Sequence, residues 1–268
     1  MNATIALPND KEAAKTAILV SQAAAIEQAR AVAEVQAAVT VAQNRPRDEN
    51  HADAQMTESC SSLTLADRAF YTVHNRGTGP SIHLARELAR IWGNIDYGVR
   101  ELRRDDAAGE SEIQAFAWDQ QTNTRTTRTF IAPHARMKGR NRQALTDLGD
   151  IYLSNQNVGA RAVRECIFAV LPAPFTEKAQ DLCRHTLEHG EGEPLESRIP
   201  KMVEAFDGIG ISLARLEAKI GRPKDKWQAT DVAQMRIAYS SITRDNADPN
   251  DEFPQTVVEL ASTETGAA

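Results

Sequence analysis

The spacing of apolar positions changes along the chain, and each change marks an element. Residues 10 to 43, "DKEAAKTAILVSQAAAIEQARAVAEVQAAVTVAQ", are rich in alanine and free of glycine and proline, which predicts one long helix. Ile26, Ala29, Ala33 and Ala37 form a narrow small-residue stripe beside Val32, Val35 and Val39. Such a stripe packs on its own domain or reaches a neighbouring subunit. "NRPRDENHADAQ", residues 44 to 55, breaks the pattern and reads as a linker. Between residues 95 and 131 the period becomes two. "IDYGVREL" places Ile95, Tyr97 and Val99 on one face, and "EIQAFAWD" places Ile113 and Ala115 on one face with Phe116 and Trp118 on the other. "RTTRTFI" is rich in threonine, and the connectors "RRDDAAGE" and "QQTN" are turn-like, so the three runs predict an antiparallel meander.

Helical spacing flanks the meander on both sides. One helix starts near Pro80, and "NQNVGARAVRECIFAVLP" keeps Val158, Ala162, Cys166, Ile167 and Val170 near one face until Pro172 stops it. Another runs from about Phe175 to Leu187 and ends at Gly190. After the connector "GEGEPLE" come three short helices around "RIPKMVEAF", "SLARLEAKI" and "ATDVAQMRIAYSSI", the second capped by Ser212 and closed by Gly221, the third capped by Thr230. The fold class expected is α+β, a short antiparallel β-meander flanked by helices with an N-terminal helical arm and a small C-terminal helical module. The boundaries expected are an arm and linker at 1–55, a core at 56–190, the module at 191–245 and a disordered acidic tail at 246–268.

Charge alters this picture. The chain of 268 residues has a net charge of −6, but the charge is divided unevenly. Residues 120 to 144 carry Arg125, Arg128, Arg136, Lys138, Arg140 and Arg142 and no acid, whereas residues 245 to 268 carry six acids and no base. Local field, not net charge, steers a polyanion, so the acid-free stretch is the candidate interface. Alternation puts Arg125 and Thr127 on one face of a strand and Thr126 and Arg128 on the other, with "PHARMKGRNR" following as a cationic loop. Arg161 and Arg164 extend the strip on the next helix, and Arg76, Gly77 and Thr78 lie on its far side. There, "HNRGTGPSIHLARELARIWGN" resembles a phosphate cradle, since a glycine-rich turn entering a helix offers free backbone amides to an anion. It matches neither nucleotide-binding glycine pattern, and the same turn also reads as a plain helix start. Trp92, Tyr97, Trp118 and Phe130 read as core and not as stacking platforms.

No motif asks for catalysis. "HTLEH", His185 to His189, has the H-x-x-E-H spacing of some zinc enzymes, but Gly190 ends its helix at once, and a solvated helix end is the reading. His83 and Glu87, one turn apart, read as a surface ion pair. No serine lies in G-x-S-x-G, and Cys60, Cys166 and Cys183 have neither metal nor disulfide spacing. The expectation is a non-enzyme without a cofactor, in a reducing cytoplasm, with no membrane span. Whether Mg²⁺ modulates its activity is open at this level.

"GPSIHLARELARIWGNIDYGVREL", "IQAFAWDQQTNTRTTRTFIAPH" and "NVGARAVRECIFAVLP" together resemble phage recombination proteins of the RecT/Redβ-like single-strand annealing family, over roughly residues 60 to 245. The resemblance implies an ATP-independent protein of the bacterial host cytoplasm that coats single-stranded DNA, pairs complementary strands and holds the annealed duplex intermediate. It also implies a homo-oligomer, ring or helical filament, with DNA in a basic groove. Its C-terminal module would contact a phage exonuclease or a host single-strand binding protein, and the N-terminal helix would join subunits. Two rivals stand beside it: a single-stranded DNA-binding replication accessory protein without annealing activity, and a structural or assembly protein that binds no DNA. The acidic tail either competes with DNA for the groove or docks a partner.

Overall fold

The computed structural model describes residues 10–73, 77–138, 141–245 and 247–253. Helix α1 (Asp10–Asn44) leads to α2 (Glu49–Cys60) and the single turn α3 (Leu63–Ala66), then to a hairpin of β1 (Phe70–Val73) and β2 (Gly77–Pro80). Helix α4 (Ile82–Trp92) enters the meander of β3 (Ile95–Asp105), β4 (Glu110–Asp119) and β5 (Thr124–Pro133), in the order β3-β4-β5. A second hairpin, β6 (Ala135–Lys138) and β7 (Asn141–Ala144), precedes α5 (Leu148–Val170) and α6 (Ala173–His189). The C-terminal helices are α7 (Leu195–Asp207), α8 (Leu213–Ile220), α9 (Ala229–Asp245) and the short α10 (Pro249–Glu252). The α+β meander with an N-terminal arm is therefore present.

Burial explains the layering. On β4, Ser111, Ile113, Ala115, Ala117 and Asp119 are all buried, and antiparallel register puts Val99 and Tyr97 of β3 beside Ala115 and Ala117 on that face. Helix α5 covers it with Gly159, Val163, Cys166, Ile167 and Val170. The approach is close, because a Cβ on Gly159 would lie 2.8 Å from both γ-methyls of Val99. Behind α5, the apolar faces of α2, α4 and α6 complete the main cluster, including Met56, Leu84, Leu88, Trp92, Phe175 and Leu187.

The linker expected at 44–55 is a helix from Glu49 onward. Asp48 caps it by accepting from the His51 amide at 3.0 Å, and Ala52, Met56 and Cys60, one turn apart, are buried against the core. Arg47 is anchored as well: its guanidinium bonds both oxygens of Asp119 at 2.7 and 2.6 Å and lies 4.8 Å from the Trp92 ring. Helix α1, by contrast, is exposed on every side from residue 22 to 37, with partial burial starting only at Ala38, Val39 and Ala42.

A second apolar cluster joins Met202, Phe206, Ile211, Leu216, Trp227, Val232, Met235 and Phe253. Helix α9 belongs to both clusters, since its Ala233 and Ile237 sit in the first. Ser241 accepts from the Thr72 amide at 2.9 Å and Arg236 pairs with Asp67 at 2.7 Å, so the module is fastened to the core by α9. Thr230 lies inside α9 and is not its cap, the helix beginning at Ala229. The tail expected from residue 246 is folded over residues 249–253: α10 forms there, Phe253 is fully buried, and Glu252 pairs with Lys219 at 3.1 Å. Pro249, Pro254 and Gly266 suggested disorder from residue 246 onward, and over 249–253 a buried phenylalanine outweighs the local composition. Residues 254–268 lie outside the described residues.

Candidate nucleic-acid interface

The acid-free segment folds as an edge strand followed by a hairpin. Among the described residues β5 pairs only with β4, in a register that places Arg125 opposite Trp118, Thr127 opposite Phe116 and Arg128 opposite Ala115. The stretch expected as a loop, "PHARMKGRNR", is mostly the β6–β7 hairpin, with Arg136 facing Gln143, Met137 facing Arg142 and Lys138 paired with Asn141. Only Ala135, Met137 and Ala144 interrupt its polar residues, too few to announce a strand period. His134 fixes where the hairpin leaves the sheet: its amide donates to the Gly109 carbonyl at 2.7 Å and its carbonyl accepts from Leu145 at 2.8 Å. Its Nε2 lies 2.8 Å from Ser111 Oγ and its Nδ1 3.9 Å from Asp106. That order of residues echoes a hydrolytic triad, but Ser111 is 1 % exposed on the helix-covered face, so the pair acts as a strut between sheet and hairpin.

Among the described residues no helix packs extensively on the other face of the meander. Register lays out its rows: Asp96, Trp118 and Arg125; then Gly98, Phe116 and Thr127; then Arg100, Gln114 and Thr129. The Arg100 guanidinium lies 4.3 Å from the Phe116 ring, and the missing side chain of Gly98 lets that ring lie against β3, where a Cβ would meet it at 3.2 Å. Trp118 is half-buried here with its indole N–H on Asn123 at 3.1 Å. It belongs to this open face and not to the core expected for it. Trp92 is buried, and Tyr97 packs against the core. Arg100 and Gln114 were not anticipated as site residues, although their parity with Gly98 and Phe116 places them on this face.

The site residues expected from sequence divide accordingly. Arg125, Arg128, Arg136 and Arg142 are exposed, and none has an ion-pair or hydrogen-bond partner among the described residues. Arg103, Arg104 and Arg236, by comparison, each hold a carboxylate. Arg128 stands on the side of the sheet that α5 covers, beside Cys166, whose thiol burial pushes up while the Arg128 charge pulls it back. Arg161 is exposed, but it stands two residues from the buried Gly159 and Val163, so it looks away from the sheet and does not extend one strip. Arg164 is taken: it bonds Glu165 at 2.8 Å and stacks 4.6 Å from the Tyr71 ring, leaving its side chain 14 % exposed.

The cradle expected around Gly77 and Thr78 is a strand, β2. Both residues are exposed, but the first-turn amides of α4 are already satisfied, because Ser81 Oγ accepts from His83 and Leu84 at 3.1 and 3.2 Å. Arg76 and Arg140 lie outside the described residues, as does the Lys138 side chain. Glu87 bonds Arg90 and Ser59 and not His83. His185 and His189 stack on each other at 3.8 Å, and no group of three metal-ligating side chains is present among the described residues. No helix there is long and apolar enough to cross a membrane.

Compared with family models, with curated proteins and with solved structures, the chain matches none.

Proposed function

We propose that the protein binds single-stranded DNA through the β5 edge and the β6–β7 hairpin and pairs complementary strands without ATP. The observation that carries this reading is the set of exposed arginines without carboxylate partners among the described residues, Arg125, Arg128, Arg136 and Arg142, in a segment free of acids. An unpaired surface guanidinium retains its full attraction for phosphate and displaces condensed counterions from the polyanion. Arg100, Gln114 and the threonines of the open sheet face add donors beside the half-buried Trp118, while Phe116, 5 % exposed beneath Arg100, offers no face to a base. The resemblance to single-strand annealing proteins points the same way. The exposed α1, carrying Ile26 at 66 %, Val32 at 51 % and Val35 at 50 % exposure, supports assembly of several copies, because burying these apolar side chains against another helix is favourable.

The test is a strand-pairing assay with dye-labelled complementary oligonucleotides in buffer free of nucleotide. Faster pairing with protein than without it is the expected result. Binding without acceleration would leave the accessory-protein reading, and pairing that starts only on adding ATP would refute the mechanism.

A further inference from the structure

Where the core meets the C-terminal helices lies a cavity of about 290 Å³, lined by Asp67 of the core and by residues of α7 and α9. Small-ligand cavities start at roughly 300 Å³, so an occupant has the size of one ring with its substituent and not of an extended cofactor. Met202, Ala205 and the half-buried Tyr239 supply apolar surface. The wall carries Arg198, Lys201, Arg236 and Arg244 against Asp67 and Glu193. Both acids are already engaged: Arg236 bonds the two oxygens of Asp67 at 2.8 and 2.7 Å, and Lys201 meets Glu193 at 2.5 Å. Two positive charges are left uncancelled.

These are Arg198 and Arg244. Arg198, 4 % exposed, donates to the carbonyls of Leu187 and Glu188 at the end of α6, and its Nε is buried without a partner. Burial, with the charge of Arg236 behind it, pushes the Arg198 pKa down, as expected of a cation short of counter-charge. Arg244 is exposed and makes one long hydrogen bond, 3.4 Å, to the Asp67 carbonyl, with no ion pair among the described residues. The excess continues outside the cavity. Arg68, next in the chain to Asp67, and Arg86 of α4 are exposed, and their side chains have no partner among the described residues. Burial, then the charges of Arg68, Arg86 and Arg244 against the pull of Asp245, hold the His83 pKa down, which gathers these three cations around one point.

We propose that this cavity binds a phosphate monoester carried on a ring, the chemistry shared by a free mononucleotide and by the 5′-phosphorylated end of a DNA strand. Charge decides the class. A monoester brings about two negative charges near neutral pH and three acceptor oxygens, which match the excess, whereas a carboxylate brings one charge. Arg244, the exposed member of the wall, is the hydrogen-bond donor to the phosphate, and the buried Arg198 adds its field. The ring lies against Tyr239 and Met202. None of these residues belongs to the β5 edge or the β6–β7 hairpin, so the site holds or fails independently of the DNA reading made there.

The test is a ligand-observed NMR titration of the full chain with phenyl phosphate, benzoate and inorganic phosphate. Phenyl phosphate is expected to saturate the protein at millimolar concentration or below, with the other two about tenfold weaker. Arg244→Ala, a change at an exposed position, should weaken phenyl phosphate about tenfold, while Arg142→Ala on the hairpin should leave it unchanged. Two pairs of competitors then identify the source: thymidine 5′-monophosphate against thymidine, and a short oligothymidylate with a 5′-phosphate against its 5′-hydroxyl twin. Tighter competition by the phosphorylated strand identifies a strand end, and tighter competition by the mononucleotide identifies a free nucleotide. The proposal is overturned if phenyl phosphate does not saturate, if benzoate or inorganic phosphate binds as tightly, or if neither phosphorylated competitor outdoes its hydroxyl twin. An affinity indifferent to Arg244→Ala, or lost with Arg142→Ala, overturns it equally.

Discussion

At the scale of single residues, the tie between Arg47 and Asp119 decides how the segment before α2 is held. Both side chains are almost fully buried, 4 % and 2 % exposed, and the ion pair is bidentate. Burial opposes ionisation of Asp119, yet the Arg47 guanidinium and the amides of Thr122 and Gln121 outweigh it and hold the carboxyl below its ordinary value. Removing one partner strands the other charge, which costs about 3–5 kcal/mol in buried pairs. Arg47→Met is therefore expected to lower unfolding stability by that order in urea titrations, and a loss under about 1 kcal/mol would contradict the account. Because the folded pKa is depressed, the stabilisation is present above the unfolded carboxylate value of about 3.9 and is lost as pH falls through the lower folded value. Asp119→Asn should accordingly remove part of the acid sensitivity below about pH 4, measured as the urea midpoint against pH. The role of Arg47 was illegible in the sequence, where it sits between Pro46 and the acids Asp48 and Glu49, which suggest a solvated linker. Its partner is 72 residues away, and nothing local announces it.

At the scale of elements, α5 and the meander are fitted to one another at Gly159. Glycine inside a helix costs about 1 kcal/mol relative to alanine, so propensity alone favours Gly159→Ala. The Cβ would meet two γ-methyls of Val99 at 2.8 Å, however, and overpacking of this kind costs about 1–3 kcal/mol. The expected outcome is a net loss of stability in chemical denaturation; a more stable variant would show that the sheet yields and that the contact is unimportant. The same scale explains what sequence patterning reveals. β3 to β5 were legible because their buried and open faces alternate, and α4 because Leu84, Leu88 and Trp92 repeat at helical spacing. The β6–β7 hairpin was not, since neither face is apolar enough to alternate, and α2 was hidden because only Ala52, Met56 and Cys60 mark its inner face. For α1, deletion of residues 1–40 is expected to leave the core folded by circular dichroism while lowering the number of chains per particle found by light scattering. An unchanged number of chains would contradict a role for α1 in the proposed assembly.

For the whole molecule, net charge misleads, because acids and bases are segregated. The acid-free segment was legible from composition, and so were Arg125, Arg128, Arg136 and Arg142 as candidates. Which of the remaining arginines are spent on other contacts was not legible: Arg164 has its carboxylate one residue away and Arg161 faces outward from the sheet, facts fixed by packing and not by spacing. On the proposed reading the surviving cations carry a charge-driven interface on a chain of net charge −6, because screening shortens the reach of distant acids to about 8 Å near physiological ionic strength. The most direct test of this claim is the salt dependence of binding to a single-stranded oligonucleotide, wild type against Arg136→Ala with Arg142→Ala. Each phosphate contact contributes about 0.7 to the slope of log K against log salt for single strands, so the double variant should flatten it by about 1.4. A slope near zero for the wild type, or an unchanged slope in the variant, would contradict the account.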